Sequence, residues 1–425
     1  SHSPRGLYRK YHLRSPRSPP QRPRLPNLER EHPRRHDQAP TRTRRNRRQA
    51  LLHLPRTRPN NHHQVESQAL PRQPLQRVLK NMPTPLEVLT KRAQDCISAT
   101  PVTILGSGAS IAAGIPGMGK LREHILRLST PAGFTTDELK PWYEFQEKLK
   151  HTDLESALQE INLPEALDDL VIEATWQYLQ PFDIEAFDQL LTSTSQYPLT
   201  ELFQTLLRST NREIDVVTPN YDRIAEYAAE KGRLYHETGF TYGHLRHRLS
   251  EFRQSVRIGD TIQDRVNIWK VHGSFDWFRD EQGIIQALPI THPKPTNWKP
   301  AIVTPGLRKY QRTYDEPFVS IKAASDRAFS NATAFFCSGF GFNDNHIQTK
   351  LKERCRSKRV PLVLITREIT PSAKAFFDDD FCKEYLAIEY ASGGCKIFCP
   401  EYQDGEIITG EEYWQLENFL KLIKP

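Results

Sequence analysis

"VTILGSGASIAAGIPGMGK" occupies Val102–Lys120. Val102, Ile104 and Leu105, with Thr103 between them, run into Gly106, and Gly108, Gly114, Gly117 and Gly119 follow before Lys120. A short apolar run ending in glycine predicts a buried strand and a tight turn into a helix. Such a turn brings backbone N–H groups and a helix start toward a bound phosphate. Two phosphate-binding patterns test that idea. The dinucleotide pattern G-x-G-x-x-G needs a glycine where Ile111 stands. The P-loop pattern G-x-x-x-x-G-K fits Gly114–Lys120, but Leu121 sits where a magnesium-binding Ser or Thr belongs, and the strand ends too early. A ligand-free strand–helix turn is the bland alternative.

Outward from this loop, strand-like and helix-like stretches alternate. "EIDVVTPN" (Glu213–Asn220), "VNIWKVHG" (Val266–Gly273), "PAIVTP" (Pro300–Pro305), "ATAFFCSG" (Ala332–Gly339) and "PLVLIT" (Pro361–Thr366) repeat the apolar form. "YDRIAEYAAEKG" (Tyr221–Gly232) and "DNHIQTKLKERC" (Asp344–Cys355) read as helices after two of them. Alternation of this kind predicts an α/β fold, a Rossmann-like doubly wound parallel sheet with helices on both faces. Between about 121 and 212 the pattern changes. "TDLESALQEINL", "PEALDDLVIEATWQYL" and "DIEAFDQLLTSTS" read as amphipathic helices with no strand between them, a helical module inserted in the α/β domain. The stretch from Gly394 to Pro425 reads as a short β element and a closing helix.

Charge divides the chain in two. Residues 1–81 hold 20 Lys and Arg against 4 Asp and Glu, with 12 of the 32 prolines and 7 of the 15 histidines. The remainder is acidic, so the net charge of +8 does not make residues 82–425 a nucleic-acid binder. A Pro- and Arg-rich segment without apolar periodicity cannot offset its chain entropy by burial, and disorder is expected over 1–81. Three readings of it stand: a basic arm for nucleic acid or an acidic partner, a transit peptide, and translated sequence upstream of a start at Met82. The last is favoured. Six cysteines without C-x-x-C spacing predict reduced thiols and a cytoplasmic protein. No apolar run reaches the ~18 residues of a membrane helix.

"GSGASIAAGIPG" (Gly106–Gly117) resembles the dinucleotide loop of the sirtuin family. Three further stretches agree with that family in order. "TPNYD" (Thr218–Asp222) resembles its T-x-N-x-D loop, and "VHGS" (Val271–Ser274) its catalytic His-Gly pair. "CSGFGFNDNHI" (Cys337–Ile347) resembles a late segment of bacterial sirtuin-like defence proteins. All four close predicted strands, where open α/β sheets bind ligands.

The resemblance implies NAD+ as substrate. Gly106, Ser107, Gly108, Ala109, Ser110, Gly114 and Thr218 would bind it, Gly106 and Gly108 letting the backbone approach its phosphates and Ser110 donating to them. Ser338, Gly339, Gly341, Asn343 and Asp344 would meet the adenosine end, with Thr366 and Arg367 as further candidates. Asn220, Asp222 and His272 are the candidate catalytic residues. His272 suits a general base because imidazole titrates near neutral pH. Asn220 would position water or the ribose, and Asp222 the ribose or a developing positive charge. Each has a structural alternative: a hydrogen-bonded core histidine, an Asx-turn residue and a helix N-cap, the last applying to Asp344 too. "RKYQRTYDEP" (Arg308–Pro317) is a lid or, preferably, a solvated loop.

Sirtuin deacetylases carry two cysteine pairs after the His-Gly motif to bind zinc. Here Gly273–Phe336 has no cysteine, so neither zinc nor any other metal is expected. That departure, with the helical insert, resembles the bacterial sirtuin-like NADases of antiphage defence: the Thoeris effector, short-Argonaute-associated proteins and partners of HerA-type ATPases. The resemblance implies NAD+ hydrolysis to ADP-ribose and nicotinamide as abortive infection in a bacterium. It further implies a homo-oligomer and a HerA-type hexameric ATPase partner. An NAD-dependent deacylase or ADP-ribosyltransferase, and a non-catalytic NAD or ADP-ribose sensor, are the alternatives.

Overall fold

The strands form where consecutive residues are apolar, because such a strand is buried on both faces. Val216 and Val217, or Phe335 and Phe336, point into opposite hydrophobic cores. A computed structural model of the chain describes residues 83–195, 197–207, 211–251, 255–289, 293–304, 315–379 and 381–424. The readings made for 1–81 and for 308–314 lie outside the described residues.

In chain order the strands are β1 (Val102–Leu105), β2 (Glu213–Thr218), β3 (Tyr235–Glu237), β4 (Arg246–His247), β5 (Arg257–Ile258), β6 (Thr261–Ile262), β7 (Arg265–Lys270), β8 (Gly273–Arg279), β9 (Ile285–Ala287), β10 (Lys299–Ile302), β11 (Phe335–Ser338), β12 (Leu362–Ile365), β13 (Tyr385–Ala391), β14 (Gly394–Cys399) and β15 (Tyr402–Thr409). Nine of them make the main sheet, in the order β15-β14-β13-β12-β11-β1-β2-β7-β3. β3 through β13 in that row run parallel, and β14 and β15 add an antiparallel edge. The fold is the α/β, doubly wound, Rossmann-like one. From β1 the chain builds outward through β2 to one side, then returns through β11 to the other. The switch point therefore falls between β1 and β11.

Helices cover both faces. Pro85–Ser98, Pro198–Leu206, Ile224–Lys231 and Leu416–Ile423 pack on one side, and Phe318–Asn331, Asn345–Ser357 and Pro371–Asp378 on the other. A third hydrophobic cluster belongs to the helices between 118 and 179, with Trp142, Phe145, Leu167 and Val171 at its centre. Phe275 of β8 completes it, and Trp176 donates to the Phe275 carbonyl at 2.8 Å.

Three details differ from the sequence pattern. "PAIVTP" forms β10, which lies outside the parallel sheet in a second, antiparallel sheet of order β10-β8-β9-β4. The parallel strand β13 had no separate reading, and β3 is only three residues long. Residues Glu165–Thr192 form one helix of 28 residues that runs through Pro181, where two helices were expected. Pro181 removes one backbone hydrogen bond. Burial of the helix at both ends, Leu167 and Val171 in one core and Ala186 and Leu190 in another, holds it together regardless.

Candidate active site

The carboxyl ends of four neighbouring strands are level. Leu105 is opposite Ser338, and Thr218 opposite Lys270, while Ile104 pairs with Val217. The four motif segments therefore meet along one edge of the sheet.

The first meeting is between two glycine loops. A Cβ on Gly106 would lie 2.3 Å from the Gly339 carbonyl oxygen, and one on Gly108 would lie 2.7 Å from Gly339 Cα. Gly339 itself has φ +59°, and a Cβ there would sit 2.2 Å from Ala109 N. Backbone N–H groups of Gly106 and Gly108 donate to the Ser338 and Gly339 carbonyls, each at 3.0 Å. These glycines permit a close approach, and what approaches is the loop after β11. The loop's outer face, with Ser107, Gly108 and Gly114, is exposed, and Ala109 is half-buried. Gly114 has φ +86° and open space where a Cβ would be.

The Thr218–Asp222 loop clamps the same glycine loop through side chains. Thr218 Oγ1 donates to the Leu105 carbonyl at 2.8 Å. Asn220 Nδ2 donates to the Gly106 carbonyl at 2.9 Å and to Ser110 Oγ at 3.1 Å. Ser110 Oγ in turn donates to Asp222 Oδ2 at 2.8 Å. Asp222 Oδ1 accepts from Ile224 N at 3.2 Å, an Asx-type bond just ahead of the following helix, whose N-cap is Arg223. Burial raises the Asp222 carboxyl above the ordinary range, against the pull of Lys270.

His272 stands between β7 and β8. Gly273 must follow it: φ is +90°, and a Cβ would be 2.1 Å from the Ala301 carbonyl oxygen of β10. His272 Nε2 and Asp344 Oδ2 are 2.7 Å apart, and both residues are buried. Asp344, a candidate for the adenosine end, thus lies against the candidate base. Its neighbours in the motif diverge. Gly341 packs against Thr370, whose Oγ1 donates to the Gly341 carbonyl at 2.5 Å, and Asn343 is exposed. Ser338 is buried at the strand end, Thr366 is half-buried and Arg367 exposed.

Behind these loops lies a layer of buried charge that the sequence reading missed. Lys270, fully buried, donates to the Asp222 carbonyl and pairs with Glu226 at 3.3 Å. Burial pushes Glu226 up to about 7, partly countered by Lys270. Asp183, on the long helix, accepts from Arg223 N at 2.7 Å, from Arg223 Nε at 2.8 Å, from Arg223 Nη2, and from Tyr227 OH at 2.8 Å. Asp276 is buried, which raises its carboxyl, but Arg246 and Arg223 more than offset this and hold it low. Two signals were present. Asp183 occupies a position on the apolar face of its helix, between Leu179 and Ala186, and Lys270 ends an otherwise apolar strand.

All six cysteines are free and buried, and burial raises the thiols of Cys96 and Cys337. Among the described residues, no group of His, Cys, Asp and Glu is arranged to hold a metal ion, and no helix is long and apolar enough to cross a membrane. The segment after His272 builds the small antiparallel sheet of β8, β9 and β10.

A family model described as a SIR2-like domain matches residues 215–381. That span contains Thr218, Asn220, Asp222, His272 and Asp344, and begins after the glycine loop. No curated protein matches the chain. Among solved structures, a crystal structure of a Sir2 homolog–NAD complex is 12% identical with TM-score 0.38, covering 70% of this chain and 87% of that one. A Sir2 homologue in complex with 2′-O-acetyl-ADP-ribose is 15% identical with TM-score 0.37, covering 68% and 87%. A Sir2 protein bound to a propionylated peptide is 13% identical with TM-score 0.36, covering 70% and 91%.

Proposed function

We propose that this protein hydrolyses NAD+ to ADP-ribose and nicotinamide. The observation that carries the reading is the convergence of His272, Asn220 and the Gly106–Gly114 loop at the carboxyl ends of adjacent strands beside the switch point. The SIR2-like match over the same catalytic segments supports it.

The outer face of Ser107, Gly108 and Gly114 offers an open surface for the diphosphate of the substrate. Thr218, Asn220 and Ser110 fix that surface from below, so its geometry is set before substrate arrives. The bond between ribose C1′ and the nicotinamide nitrogen breaks with its electron pair leaving on nicotinamide. The ribose takes on oxocarbenium character, and a buried carboxylate such as Asp222 stabilises that charge. Water adds to C1′, and His272 takes its proton. Water and NAD+ thus yield ADP-ribose, nicotinamide and one proton.

The biological role proposed is that of a defence effector, depleting NAD+ in phage-infected bacterial cytoplasm as a homo-oligomer with a HerA-type hexameric ATPase. Its support is the resemblance of the motifs and of the helical insert. Nicotinamide release by the wild type, alone and with a candidate ATPase, is compared with His272→Ala and Asn220→Ala. His272→Ala is expected to lower the rate at least ~100-fold, the scale of a lost general base, and Asn220→Ala to lower it by loosening the glycine loop. A wild type silent in every mixture, yet still binding NAD+, would make this a sensor's pocket.

A further inference from the structure

Resting on that reading, Asp344 acquires a task the motif alone did not assign. We propose that Asp344 is the positioning residue of His272, accepting from Nε2–H and so fixing the tautomer and the orientation of the imidazole. The 2.7 Å contact between His272 Nε2 and Asp344 Oδ2 is at the short end of charge-assisted hydrogen bonds. Both side chains are about one-tenth exposed, at 10% and 8%, so water competes little for either.

The two partners are anchored independently. Asp344 is the N-cap of helix Asn345–Ser357: its Oδ1 accepts from Ile347 N at 2.9 Å and its carbonyl from Gln348 N at 2.9 Å. With one oxygen committed to the helix, the other is aimed at the imidazole. His272 is held by its own carbonyl, which accepts from Val303 N at 2.9 Å, and by Gly273 pressed against Ala301. Neither backbone can slide without breaking a strand or a helix start.

The segment between β11 and that helix is shaped for this delivery. Gly339 fastens it to the glycine loop, and Phe340 and Phe342 are buried in the core beneath. Phe342 has φ +58°, a left-handed turn that separates Gly341, facing Thr370, from Asp344, facing His272. One short segment therefore serves two places.

Which ring nitrogen of a histidine carries the proton is set by the hydrogen bonds the ring makes, and a carboxylate fixes it on the nitrogen that it faces. When a carboxylate in this role becomes an amide, the imidazole is left in the wrong tautomer and rates fall by orders of magnitude. Asp344→Asn is the informative variant, because asparagine remains a good N-cap and keeps the helix start. Three quantities are read: kcat for nicotinamide release, NAD+ affinity by calorimetry, and the tautomer of His272 from 15N spectra of histidine-labelled protein, assigned with His272→Gln. The expected result is a kcat at least ~100-fold lower, with affinity within ~3-fold of wild type, less than a single lost neutral hydrogen bond would cost, and loss of the Nε2–H signature. Weaker NAD+ binding with kcat retained would overturn the proposal and return Asp344 to the adenosine end. If the wild type releases no nicotinamide, the NAD+-cleaving reading fails, and the spectra still decide: an unchanged His272 tautomer in Asp344→Asn refutes the positioning role. Asp344→Ser, which also caps, repeats the test should the amide variant not fold.

Discussion

Gly339 shows how much one missing Cβ can decide. Its positive φ and its 2.2 Å approach to Ala109 N leave no room for a side chain. Gly339→Ala must move either the glycine loop or the loop after β11, at a cost of ~2–4 kcal/mol from overpacking and backbone strain. Urea unfolding should show the lower midpoint, and Gly114→Ala, with open space but φ +86°, should cost less. Asn220, Asp222 and His272 were legible as candidates because each sits in a short motif at a predicted strand end. Their bland readings fare differently: Asp222 accepts from Ile224 N just ahead of a helix whose N-cap is Arg223, and the Asn220 side chain reaches across to Gly106 and Ser110 while Thr218 makes the local turn bond. The pairing of His272 with Asp344 was not legible. It joins residues 72 positions apart through the tertiary fold, and a local pattern carries no record of which cap faces which histidine.

Among elements, the helix Glu165–Thr192 links the insert to the site. Its first half packs in the helical cluster, its second half in the sheet core, and Asp183 lies just past Pro181 where it changes from one to the other. There Asp183 grips Arg223, next to Asp222. Asp183→Ala strands a buried guanidinium and should cost ~3–5 kcal/mol. It should also slow nicotinamide release under conditions where the variant remains folded, measured by stopped assays beside circular dichroism. A conservative Asp183→Asn should retain more of both. The strands of the parallel sheet were legible where a short run rich in apolar residues adjoins a glycine or proline. β3 was too short to show, and β10 shared the pattern yet joined another sheet, since burial on two faces does not specify which neighbour a strand pairs with. Pro181 read as a break because propensity is local, whereas the two cores that hold the helix are not.

At the scale of the whole molecule, buried charge sets how stability responds to acidity. Glu226 is raised to about 7 by burial, against about 4.3 for a free glutamate. The folded state therefore binds the extra proton between those values, so this group's contribution to stability is greatest below pH 4.5 and is lost as pH rises through 7. The loss is on the order of 3–4 kcal/mol. Thermal melts from pH 5 to 8 should show the wild type losing ground to Glu226→Gln as pH rises, and parallel curves would show that Lys270 compensates fully. The order of the strands has a further consequence, in time. β1 is made early, but its second edge stays open until β11 has been synthesised some 230 residues later, about twenty seconds at an ordinary ribosomal pace. The glycine loop waits for Gly339 and His272 waits for Asp344. A nascent chain thus holds the two glycine loops, and His272 and Asp344, apart until β11 and the segment after it have left the ribosome.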